Sequence, residues 1–206
     1  HTQFGPKKII HNGLDLVIKK GHVHTIIGRS GVGKSVLLKI IIGLIRPDKG
    51  SIQIFGQDIL NLNFWEHQEL LTHIGVLFQQ AALFDSLSVF DNVAFPVRRH
   101  TKYSKEEVID VVEDKLNRVG MLKFIDYFTS ELYVGMKKRV GLARAIALNP
   151  KIILYYEPTT GIDPIMGNII NDLIIKMSKE LNTTSIVVSH DMKSAYETSD
   201  TISMMY

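Results

Sequence analysis

At 206 residues, 45% hydrophobic and 22% charged, the chain is long enough to bury one core and too apolar for intrinsic disorder. Its 24 basic and 21 acidic residues leave a net charge of +3, too balanced to argue for nucleic acid, and none is expected as a partner. With no cysteine, disulfides, thiolate nucleophiles and cysteine-ligated zinc are excluded, which suits a reducing cytosol.

Residues 22–28, HVHTIIG, form a β-branched run ending in glycine, and SVLLKIIIGL at 35–44 carries apolar side chains at helical spacing. Together they predict strand, loop and helix. The apolar run at 36–45 contains Lys39 and falls short of the ~20 residues that a bilayer demands. GSIQIFGQDI at 50–59 alternates like a hairpin strand, and HIGVLFQ at 73–79 reads as another buried strand. In SKEEVIDVVEDKLNRVG, residues 104–120, Ser104 and Glu107 have capping-box spacing, with Val108, Val111, Val112, Leu116 and Val119 on one face. PIMGNIINDLIIKMSKEL at 164–181 predicts a helix capped by Asp163, with Pro164 at its first position, and TTSIVVSH at 183–190 returns to strand. The alternation predicts a mostly parallel sheet, with an antiparallel part near the hairpin and a helical insertion over about 85–148. One domain over 1–206 is the economical reading. The chain opens on His1 and stops at Tyr206 within an apolar run, so both ends are expected to be trimmed.

GRSGVGKS fits the phosphate-loop pattern in full and lies between a predicted strand and helix. Its residues are Gly28, Arg29, Ser30, Gly31, Val32, Gly33, Lys34 and Ser35. Successive backbone N–H groups and a helix N-terminus make an anion cradle, Lys34 adds a point charge for β- and γ-phosphates, and the Ser35 hydroxyl can ligate Mg²⁺. The loop predicts a nucleotide, with Mg²⁺, and the family resemblance below makes it ATP. Glu157, after the buried run KIILYY at 151–156, stands at a strand end, where open α/β sheets place ligands. It is placed to orient the water that attacks a γ-phosphate, or, taken alone, to cap a helix. Gln79 and His190 end two further predicted strands.

These motifs, in this order, resemble the ATP-binding subunits of ABC transporters over essentially the whole chain. The resemblance rests on the phosphate loop, on Gln79 as the Q-loop and on GMKKRVGLARAIALNP at 135–150 as the remainder of the signature helix. EPTTGIDP at 157–164 supplies the catalytic glutamate and D-loop, and SHD at 189–191 the switch histidine. It implies a phosphate-loop NTPase fold of the ABC type, with Glu157, His190 and Gln79 catalytic, and Ser35 and Gln79 at the metal. Asp163 would communicate across a dimer. Phe4 matches the place where the family stacks a ring on adenine, or is a core phenylalanine. FQQAALFDSLSVFDNVAFPVR at 78–98 is similar to the ATPases that energise Mla- or Mce-type lipid transport between bacterial membranes. The implied partners are a second ATP-binding subunit, most simply a homodimer, and an integral membrane permease, with lipid cargo handled by other subunits. The implied location is peripheral, on the cytoplasmic face of the inner membrane.

Two departures stand out. LYVG, Leu132 to Gly135, replaces the family's Leu-Ser-Gly-Gly, so Tyr133 and Val134 stand where a serine and a glycine would reach the opposite subunit's γ-phosphate. Tyr156 replaces the aspartate that holds Mg²⁺ through water, and a neutral phenol of pKa about 10 substitutes poorly for a carboxylate beside a hard cation. Two readings follow from the resemblance: an ATPase driving transport, or a nucleotide-binding subunit with little hydrolysis. A chromosome, repair or translation ATPase would need coiled coils, a second cassette or a strongly basic surface.

Overall fold

The β-branched runs read from the sequence become the centre of one parallel sheet. The computed structural model describes residues 1–4 and 8–206, apart from the side chains of Phe4 and Lys8. An antiparallel pair, β1 (Thr2–Phe4) and β2 (Lys8–His11), opens the chain. Then come β3 (Val23–Gly28), α1 (Lys34–Ile41), the two-stranded hairpin β4 (Gln53–Ile54) and β5 (Gln57–Asp58), α2 (Phe64–Thr72) and β6 (Ile74–Leu77). Three helices follow in the 85–148 segment: α3 (Val89–His100), α4 (Lys105–Arg118) and α5 (Val134–Ala145). The chain closes with β7 (Ile152–Tyr156), α6 (Pro164–Leu181), β8 (Thr184–Ser189), α7 (Met192–Thr198) and β9 (Thr201–Met205).

The five-stranded sheet runs β6-β7-β8-β3-β9, with every pair parallel, and the antiparallel strands lie in the two small ribbons. This is the mostly parallel α/β arrangement expected. Register sets the strand ends level: Leu77 pairs with Tyr155, Tyr156 with Val188, and Ile27 with Ser189. Period-2 alternation then divides the core in two. Leu77, Ile153, Tyr155 and Val187 point to a cluster shared with α3, α4, α5 and α6. Ile26, Leu154, Ile186 and Val188 point to the opposite face, where α1, α2 and the hairpin pack. Tyr155 and Tyr156 therefore part company. The first is fully buried among the helices, and the second packs on the α1 side.

Caps follow the sequence reading. The Glu107 backbone N–H donates to Ser104 Oγ at 3.2 Å, the Ser104 N–H donates to Glu107 Oε2 at 2.6 Å, and Asp163 Oδ1 accepts from the Met166 N–H at 3.0 Å. One local rule is overridden: Pro96 lies inside α3. Its cost of ~3 kcal/mol is outweighed because Val89, Val93 and Val97 on that helix are fully buried, at roughly 1.5–3 kcal/mol each.

The helical segment is tied to the sheet by a buried cation. Lys138 of α5 is 1% exposed, and its Nζ donates to the carbonyls of Pro158 (2.6 Å), Thr160 (2.8 Å) and Glu157 (3.4 Å). Burial pushes its pKa down to about 8, opposed by the nearby Glu157 carboxylate, so the amine stays largely protonated at neutral pH. Replacing it takes a donor from three carbonyls after β7 and strands those of Pro158 and Thr160. Lys138→Met is expected to lower stability by about 2 kcal/mol, read as a fall in urea midpoint at unchanged slope.

Candidate functional site

The site begins where β3 runs out. Gly28 ends the strand, Arg29, Ser30 and Gly31 turn outward, and Gly33 sits buried at φ +108°, a conformation suited to glycine. A Cβ at Gly33 would come within 2.7 Å of both His11 Nε2 and Ile10 Cγ2. His11 braces the turn: Nε2 lies 3.1 Å from the Gly33 carbonyl, to which the Nε2–H tautomer donates. Burial lowers the His11 pKa, which favours that neutral form, although the bond to Gly33 works the other way. No side chain caps α1 and no acid stands in its first turn, so its leading N–H groups remain available to an anion. Lys34, 6% exposed, folds back over the loop, its Nζ donating to the carbonyls of Gly28 (2.6 Å) and Arg29 (3.0 Å).

The ends of β6, β7 and β8 meet this loop. Ser30, Gly31, Gly33, Lys34, Ser35, Gln79, Glu157 and His190 all line one cavity of about 620 Å³. The sequence-predicted strand-end residues thus converge on the predicted loop. Gly28, Arg29 and Val32 shape the turn without lining the cavity. Phe4 closes β1, but its side chain lies outside the described residues.

Glu157 is 7% exposed and holds φ +49°, left-handed backbone that costs a non-glycine residue roughly 1–2 kcal/mol. Three bonds sustain it: its N–H donates to the Val188 carbonyl at 2.8 Å, and its own carbonyl accepts from Lys138 and from the Thr160 N–H at 3.3 Å. The side chain is aimed as well. His190 Nδ1 lies 2.7 Å from Oε2, and the Thr160 hydroxyl donates to the same oxygen at 3.0 Å. Both of these bonds fall on Oε2, and among the described residues no hydrogen bond is formed by Oε1.

Tyr156 fills the space between this carboxylate and α1, its OH 2.6 Å from Ser35 Oγ. The sequence marked Tyr156 as a departure but not its partner, 121 residues away. It also missed Ile10 and His11 beneath the loop, and Lys138. The short apolar run IIH at 9–11 is the local signal for the strand there.

The donor set fits a polyphosphate well and a resident Mg²⁺ poorly. Mg²⁺ is normally held by one or two carboxylates together with substrate phosphates. Here Ser35 is engaged by a phenol, Gln79 is neutral, and Glu157 is paired with His190. Among the described residues no group of three or more histidines or acids could hold a metal ion.

The signature segment is equally distinct. Leu132 is buried, whereas Tyr133 is 82% and Val134 52% exposed at the start of α5, and Tyr133 makes no capping bond with its side chain. Gly135 packs against Met166 of α6, where a Cβ would approach the methionine Cε to 2.6 Å.

Residues 11–160 match the ABC transporter family. The intermembrane phospholipid transport ATP-binding protein of Haemophilus influenzae is 45% identical over 94% of this chain and 73% of its own length. The probable ribonucleotide transport ATP-binding protein of Mycobacterium leprae is 42% identical over 98% of this chain, which spans 58% of that relative. Among solved structures, a dimeric ATP-binding cassette in a post-hydrolysis state with ADP and Pi superposes with a TM-score of 0.88 and 31% identity, over 98% of this chain and 89% of that one. With its phosphate loop, its strand-end residues and these relatives in agreement, the chain belongs to the ABC transporter family.

Proposed function

We propose that this chain is the ATP-binding and ATP-hydrolysing subunit of a membrane transporter, supported above all by the convergence of Lys34, Glu157 and His190 on one cavity. The leading N–H groups of α1 and the Lys34 ammonium bind the phosphates, once Nζ leaves the carbonyls of Gly28 and Arg29. Glu157 Oε1 accepts the proton of the attacking water. His190 and Thr160 hold the carboxylate in orientation, and positioning and electrostatics do most of the work, as phosphoryl transfer demands. One domain spans 1–206, with a helical subdomain at about 85–148.

The subunit acts as a homodimer against an integral membrane permease, peripheral to the cytoplasmic face of the inner membrane. Its own described helices include none long and apolar enough to span a bilayer. A phospholipid-type cargo is favoured by the Haemophilus relative, and the mycobacterial relative's name points to ribonucleotides instead. Purifying the native complex and identifying the lipid that accompanies its membrane subunit decides between them.

A second reading, ATP binding with little turnover, is favoured by the exposed Tyr133 and Val134 and by the Tyr156–Ser35 bond. In a dimer of the family's kind each site joins one subunit's loop to the other's signature, so every site of a homodimer carries both departures. Phosphate release should therefore be slow. Glu157→Gln is expected to lower it by at least about 100-fold while ATP binding survives in a filter assay. The back-substituted variant Tyr133→Ser, Val134→Gly, Tyr156→Asp is expected to release phosphate at least roughly tenfold faster than the parent chain. Family-like turnover in the parent chain would remove the second reading.

A further inference from the structure

We propose that the hydrogen-bonded pair of Tyr156 and Ser35 takes the place of the divalent cation, so that this site accepts a nucleoside triphosphate as the metal-free anion. The inference rests on the reading of the loop as a nucleotide site.

Three observations carry it. The first is a count of protons. At 2.6 Å the two hydroxyls share one O–H between them, whichever donates, and the pair keeps one further O–H. Both residues line the cavity beside Lys34, so this remaining donor is available to a phosphate oxygen.

The second is position. Leu154, Ile186 and Val188 share the α1 face of the sheet with Tyr156, whose ring packs against that cluster while its backbone pairs with β8 opposite Val188. Ser35 is fixed in the first turn of α1. The ring of Tyr156 does not swing aside without disturbing that core, so its hydroxyl stands beside Ser35 before any ligand arrives. A cation ligated by Ser35 Oγ would need the space the phenol fills, because Mg²⁺ demands near-octahedral oxygens at about 2.0–2.1 Å.

The third is charge. A carboxylate at position 156 would repel the polyphosphate, and a divalent ion would be needed to offset that repulsion. The phenol removes the repulsion and with it that need. Glu157 is the sole carboxylate among the cavity's lining residues, and it is paired with His190.

Titration calorimetry of the full chain with ATP, once in EDTA and once in excess MgCl₂, tests this directly. The parent chain is expected to give dissociation constants within roughly threefold of each other. The double variant Ser35→Ala, Tyr156→Phe, which keeps the ring and removes both hydroxyls, is expected to bind about fivefold more weakly in EDTA, the worth of one neutral hydrogen bond. Tyr156→Asp is expected to become dependent on Mg²⁺ by at least roughly tenfold. Thermal melts by circular dichroism establish that both variants fold, and the double variant decides the matter if Tyr156→Asp does not. Parent binding that is tenfold or more tighter with Mg²⁺ overturns the inference and leaves the nucleotide site standing. No heat in either condition, together with no displacement of a fluorescent ATP analogue, overturns the nucleotide reading itself.

Discussion

Parallel pairing of β7 with β8 and of β8 with β3 is the constraint on which the ligand end depends. Because the strands run the same way and stop level, the residues that follow them are delivered to one edge, beside a loop whose amides have no partner within their own helix. Glu157 and His190 are not neighbours in sequence. They become so because Tyr156 stands opposite Val188, which puts the residue after β7 and the residue after β8 within a hydrogen bond of each other. The alternation of side chains across the same strands decides which groups face the loop and which support it from beneath.

Much of this could be read from residue order. The strands, the capped helices at 105–118 and 164–181 and the phosphate loop carry local signals, because caps, β-branched runs and glycines act over a few residues. Gln79, Glu157 and His190 were legible as strand-end polar groups. What stayed hidden acts over long separations. The His11 brace on Gly33 and the Tyr156–Ser35 bond join segments with no shared periodicity, and Lys138 looks in sequence like one more basic residue of a solvated helix face. A buried ammonium satisfied by carbonyls leaves no pattern in the acceptor segment, because every residue has a carbonyl to offer.

The two tyrosines that interrupt family motifs, Tyr133 and Tyr156, act through different physics. Tyr156 is woven into the sheet and exchanges a site that would recruit charge for one that supplies a neutral donor. Tyr133 is almost wholly in water at the opening of α5, where the side chain offers the helix no cap. One alters what the loop can hold. The other alters what a facing subunit would meet, since a ring and a β-branched neighbour keep a second backbone at a distance that glycine would not.

Lys138 gives the region its stiffness. It lies little more than one helical turn beyond Tyr133, and its ammonium is anchored to the peptide at Glu157 and to two that follow. The exposed opening of α5 is thereby tied through one buried side chain to the backbone that carries the carboxylate.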